Sequence, residues 1–114
     1  MNYSIYYYWS IGKRVYEKRL LCDNSVEKYS TFLSYYSGNS SLFTRENIRY
    51  MKRLYLNFPI FYEKLNMISW NQYKLLLRIN NKKERFFYFY LSLLFNSDYN
   101  ETIELINNNY YFRI

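Results

Sequence analysis

The sequence contains no histidine and a single cysteine, Cys22. Without histidine the usual metal ligand and neutral-pH general base are both missing. One cysteine cannot build a disulfide framework within the chain, which points to a reducing compartment. Cys22 stands close to Lys18 and Arg19, which would lower a thiol pKa, but with no base in view it reads as packing or incidental. No carboxylates cluster in the sequence, so neither a metal nor a cofactor is expected and a complete enzyme finds little support. Alanine is absent, while Asn, Ile, Lys, Phe and Tyr, all written with AT-rich codons, are abundant. The 17 Tyr and 9 Phe therefore reflect coding bias first, and are read as core and half-buried filler rather than as base-stacking platforms.

Long apolar runs are also missing. The longest, Phe86 to Phe95, is interrupted by Ser92 and falls well short of the roughly 20 residues a spanning helix needs. No basic-then-apolar leader is evident among Tyr6, Tyr7, Tyr8 and Trp9, so a cytoplasmic protein without a membrane partner is expected. Alternating strand patterns, Asn-Gly or Asp-Gly hairpin dipeptides and internal repeats do not occur. The 114 residues suit a single domain, and the helical periodicities predict an all-α bundle of about five or six helices.

Charge is one-sided, with 16 Lys and Arg against 9 Asp and Glu, net +7. The excess lies in residues 1–22, 44–58 and 59–95, whereas 23–43 is near neutral and 96–114 mildly acidic. Such a balance favours a polyanion through counterion release, or an acidic protein surface.

The most informative stretch is Thr44 to Pro59. Ile48, Met51, Tyr55 and Phe58 recur at helical spacing as a docking stripe. Arg45, Arg49 and Arg53 step by four along another face, with Lys52 beside them and Glu46 the sole carboxylate. Thr44 is the predicted N-cap and Pro59 the stop. A helix docked on one side and cationic on another has the form of an element that lies along a nucleic-acid backbone or groove. A solvated face on an ordinary bundle helix would show the same row.

The remaining elements follow in order. A first helix is predicted over residues 3–21 with Ile5, Tyr8, Ile11 and Val15 as its stripe, Lys13 and Arg14 exposed, and Gly12 at mid-helix. Glycine there costs about 1 kcal/mol relative to alanine, which suggests a close helix crossing. After a turn at Cys22 to Asn24, Ser25 is expected to cap a second helix in which Val26, Tyr29, Phe32 or Leu33, and Tyr36 face inward. That helix fails at residues 37–41, where Gly38 suits a left-handed close. Leu42 and Phe43 are placed to staple the next helix onto the core. Residues 60–67 are read as a short helix or an ordered connection. Ser69 and Gln72 have capping-box spacing, ahead of a helix with Trp70, Tyr73, Leu76 and Leu77 inward and Lys74 and Arg78 on another side. Asn81 and Glu84 have the same spacing before the nearly all-apolar helix to Phe95, which must be central or covered by a partner. A turn over residues 96–100 and a short helix from Glu101 to about Tyr111 complete the prediction.

Three stretches together resemble one family. Trp9 to Val15 (WSIGKRV), Phe43 to Pro59, and Ile68 to Ile79 with Glu84 to Tyr88 follow the order and spacing of the N-terminal domain of bacterial YhcG-like proteins. The resemblance implies a helical, helix-turn-helix-like, DNA-binding domain that in the family precedes a PD-(D/E)XK nuclease domain. Its arginine-rich segment corresponds to Arg45, Asn47, Arg49, Lys52 and Arg53. The chain ends where that nuclease would begin, and no Asp or Glu is followed two positions on by Lys, so the nuclease signature is absent.

Two functions are compatible with these features. The first is a non-catalytic nucleic-acid module, with DNA favoured over RNA. Its contacts would be Arg45, Asn47, Arg49, Lys52 and Arg53, extended by Lys13 and Arg14 and by Lys74 and Arg78, with Arg45, Asn47 and Arg49 nearest base edges. The second is a small phage- or mobile-element-encoded interaction protein, an inhibitor or accessory factor such as a CRISPR inhibitor. It would bind a nuclease, a nucleoprotein or an acidic protein surface, with Phe86 to Phe95 as an interface to that partner or to a homodimer.

Overall fold

The computed structural model describes residues 4–18, 23–39 and 41–113. Arg19 to Cys22, and with them the expectations for that turn and for the Cys22 thiol, lie outside the described residues, as do the side chains of Val26 and Tyr36. Among the described residues the chain forms six α-helices and two short 3₁₀ helices, with no strand. Backbone contacts divide it into two compact units, Met1–Phe61 and Tyr62–Ile114.

In the first unit, α1 (Ile5–Glu17) is capped by Ser4, whose hydroxyl accepts from the Tyr7 N–H. Its C-cap is Lys18, and the predicted stretch beyond it lies outside the described residues. Ile5, Tyr8, Ile11 and Val15 are buried as their spacing predicts, joined by Trp9 and Gly12. α2 (Asp23–Ser37) already includes Ser25, which is therefore an interior residue and not the expected cap. Leu33 is half-buried, while Phe32 and Tyr35 are exposed, so the inward stripe takes Leu33 rather than Phe32. Gly38 closes α2 at φ 71°, and its N–H donates to the Ser34 carbonyl. α3 (Arg45–Asn57) runs from the Thr44 cap to Phe58, as predicted. Ile48, Met51 and Leu54 are completely buried, and so is Phe43, the residue just before the cap.

α1 and α3 form the principal packing of this unit, and Gly12 is the reason they approach so closely. A Cβ built on Gly12 would stand 1.9 Å from the Met51 carbonyl oxygen and 2.9 Å from the Lys52 nitrogen. These are backbone atoms inside α3 and cannot swing aside.

In the second unit, a 3₁₀ helix (Glu63–Met67) resolves the ambiguous segment. α4 (Trp70–Leu77) begins with the full Ser69–Gln72 capping box. α5 (Lys82–Phe95) starts at Asn81, whose side chain accepts from the Glu84 N–H, and ends at Asn96 in the left-handed region. α6 (Tyr99–Asn107) has a second full capping box, Asp98 with Glu101, in the segment where the sequence predicts only a turn. A second 3₁₀ helix covers Tyr110–Arg113. Tyr73, Leu76, Leu77, Tyr88 and Phe89 are buried, and the Tyr73 hydroxyl donates to the Leu65 carbonyl at 2.5 Å.

Gln72 does more here than cap. Its Oε1 accepts from the Ser69 N–H, while its Nε2 donates to the Ser97 carbonyl at 2.7 Å and to the Thr102 hydroxyl at 3.2 Å. The Ser92 and Thr102 hydroxyls meet at 3.3 Å, so one buried polar node ties α4, α5 and α6 together.

Candidate nucleic-acid interface

α3 is fixed from several directions before its outer face is considered. The Trp9 indole N–H donates to the Phe58 carbonyl at 2.6 Å, and its ring packs against Tyr55 and Phe61 at 5.5 Å centroid separations. At the other end, Thr44 Oγ1 accepts from the Asn47 N–H at 3.1 Å. The Asn47 side-chain amide donates to the Leu42 carbonyl at 2.9 Å and to that of Ser41 at 3.3 Å. The Ser30 hydroxyl donates to the Phe43 carbonyl, tying α2 to the same approach segment. A helix held at its start, middle and end presents its outer face with little conformational cost on binding.

That outer face carries Arg45, Arg49 and Arg53, all exposed, with Lys52 half-buried beside them. Residues four apart on a helix lie nearly above one another, so the three guanidinium groups form a row. The Arg53 guanidinium carbon sits 5.4 Å from the centre of the Tyr50 ring. Glu46, Arg49, Tyr50 and Arg53 line a shallow recess of about 190 Å³. Tyr50 is buried and is not singled out by the sequence pattern. Its position three before Arg53 was the available signal, since i and i+3 share a face.

The other predicted cations are placed differently. The Lys13 ammonium stands 5.5 Å from the Trp9 ring centre. Arg14 is exposed on α1 and lies near enough to Tyr29 to oppose the effect of burial, which raises that phenol's pKa. Neither lines the recess beside Arg49 and Arg53. Lys74, whose ammonium is 6.0 Å from the Trp70 ring centre, and Arg78, exposed at the end of α4, belong to the second unit. Among the described residues no group of three or more Cys, Asp or Glu is placed to hold a metal ion, and no helix is long and apolar enough to cross a membrane.

Fold and surface together define an all-α domain whose third helix offers a rigid arginine row. The chain belongs to the DUF1016 N-terminal domain family, whose profile matches residues 2–113. This is the N-terminal domain of YhcG-like proteins, the family that the Trp9, Phe43 and Ile68 stretches resemble. No curated protein and no solved structure gives a significant match.

Proposed function

We propose that this domain binds nucleic acid, duplex DNA before RNA, through the exposed face of α3, without catalysis of its own. The observation that carries this reading is the Arg45, Arg49 and Arg53 row on a helix anchored by its opposite face. Each arginine can engage a phosphate bidentately and displace condensed counterions. Arg53, steadied over Tyr50, is suited to the backbone, while Arg45 and Arg49, nearer the start of the helix, are suited to base edges. Asn47 takes a positioning role in this scheme, because its amide protons are directed at the Ser41 and Leu42 carbonyls. Lys13, Arg14, Lys74 and Arg78 add a diffuse positive field that steers encounter. The apolar stripe that α5 leaves exposed supports protein association as a second property of the same chain.

The test is a binding titration against duplex DNA and structured RNA at low and moderate salt. Salt-sensitive DNA binding that disappears in the Arg49→Glu, Arg53→Glu double variant, with helical circular dichroism unchanged, is the expected result. No binding at low salt, or binding indifferent to the double variant, would remove α3 as the interface.

A further inference from the structure

α5 carries more apolar surface than the structure covers. Its Tyr88, Phe89 and Ser92 are buried, whereas Tyr90 is 56%, Leu94 76% and Phe95 66% exposed. Phe86 stacks on Tyr90 with ring centroids 6.2 Å apart, and Leu94 follows four residues on, so a continuous ridge runs along the helix. Two open grooves flank it. One, about 650 Å³, is formed with Tyr62, Lys64 and Met67, and reaches α5 at Tyr90, Leu93 and Leu94. The other, about 560 Å³, opens toward α6 and is lined by Leu91 and Phe95 with Glu101, Glu104 and Leu105. At about 100° per residue, Leu93 and Leu91 lie about 160° apart around α5 with Tyr90 and Leu94 between them, so the grooves are on opposite flanks. The ridge thus has a cation along one side and two carboxylates along the other.

We propose that a second copy of the chain packs on this ridge, the two α5 helices running parallel about a two-fold axis. Apolar ridges of this kind are costly to leave in water, and a two-fold contact uses the same patch twice. Of the charges lining the two grooves, Lys64 on one flank and Glu101 with Glu104 on the other favour this occupant and orientation. With the axis along α5, the Lys64 flank of each copy faces the Glu101 and Glu104 flank of the other. With the axis across α5, lysine would meet lysine and carboxylate would meet carboxylate. One surface therefore carries both halves of its own complement. The apolar ridge supplies the affinity and the charges set the register.

Sedimentation equilibrium of the full chain across the micromolar range tests this. The expected result is a reversible dimer that Leu94→Glu converts to monomer with unchanged helical circular dichroism, Leu94 being too exposed to matter for folding. Lys64→Glu and Glu104→Lys should each weaken the dimer by about threefold to fivefold, and the two together should restore it. A monomer at every concentration, or a dimer indifferent to Leu94→Glu, overturns the proposal. A Leu94-dependent dimer in which the paired charge reversals fail to compensate overturns the parallel arrangement. DNA titration of Leu94→Glu reports separately on α3, so failure of one reading is distinguishable from failure of the other.

Discussion

At Gly12 two opposing effects meet on one atom. Alanine would favour the helix by about 1 kcal/mol, yet its methyl would collide with the Met51 carbonyl across the α1–α3 crossing. Overpacking against backbone outweighs propensity here, so Gly12→Ala should lose about 2–3 kcal/mol of unfolding free energy, measurable by denaturant titration. Tyr73 gives a pH signature. Burial raises its phenol well above the ordinary value of 10.0, with Tyr62 nearby adding to the effect. The folded state therefore keeps the proton where the unfolded chain releases it. Stability from this group is fully present below pH 10.0 and falls above it, by about 1.4 kcal/mol per pH unit for one such group. Tyr73→Phe should cost about 1 kcal/mol at neutral pH through loss of the bond to Leu65, and should flatten the alkaline fall.

Among the elements, those begun by a side chain that accepts from the N–H three residues on were the most legible. Thr44, Ser69 and Asn81 all cap where predicted, accepting from the N–H groups of Asn47, Gln72 and Glu84, because such a bond is made within one turn of chain. Of these three, only Ser69 with Gln72 completes the reciprocal box. Asp98 with Glu101 has the same signature, and reading it would have started α6 two residues before Glu101. Thr44→Ala should destabilise the first unit by about 1 kcal/mol by urea titration. Gln72→Leu should cost more, about 2 kcal/mol, since besides removing a cap it takes the amide from the buried Thr102 hydroxyl and the half-buried Ser97 carbonyl. The arginine row was equally legible, as a period of four survives any packing that keeps the helix. Which of Phe32 and Leu33 turns inward was not, since both satisfy the period within one position.

For the whole molecule, charge is the property that reaches furthest. The net +7 arises from a basic majority and a mildly acidic end, so long-range attraction to a polyanion is built into composition. Affinity for duplex DNA should fall linearly with salt on logarithmic axes, and Arg53→Ala, which removes one backbone contact, should lower that slope by about 0.9. A binding curve with no salt dependence would contradict this. The sequence by itself determined the all-α class, the family, the caps at Thr44, Ser69 and Asn81, the close crossing at Gly12 and the cationic face of α3. Each of these rests on residue type or on neighbours within a turn or two. Only the tertiary structure brought the Gln72 amide to Ser97 and Thr102, the Trp9 indole to the Phe58 carbonyl, and Tyr50 beneath Arg53 as the lining of a recess. It alone showed that α5, apolar nearly all round, buries one face and leaves the ridge at Tyr90 and Leu94 in water. The reason is physical: a local hydrogen bond is fixed by chain spacing, whereas a distant one depends on where the packed backbone returns, and burial depends on how much surface the other helices can cover.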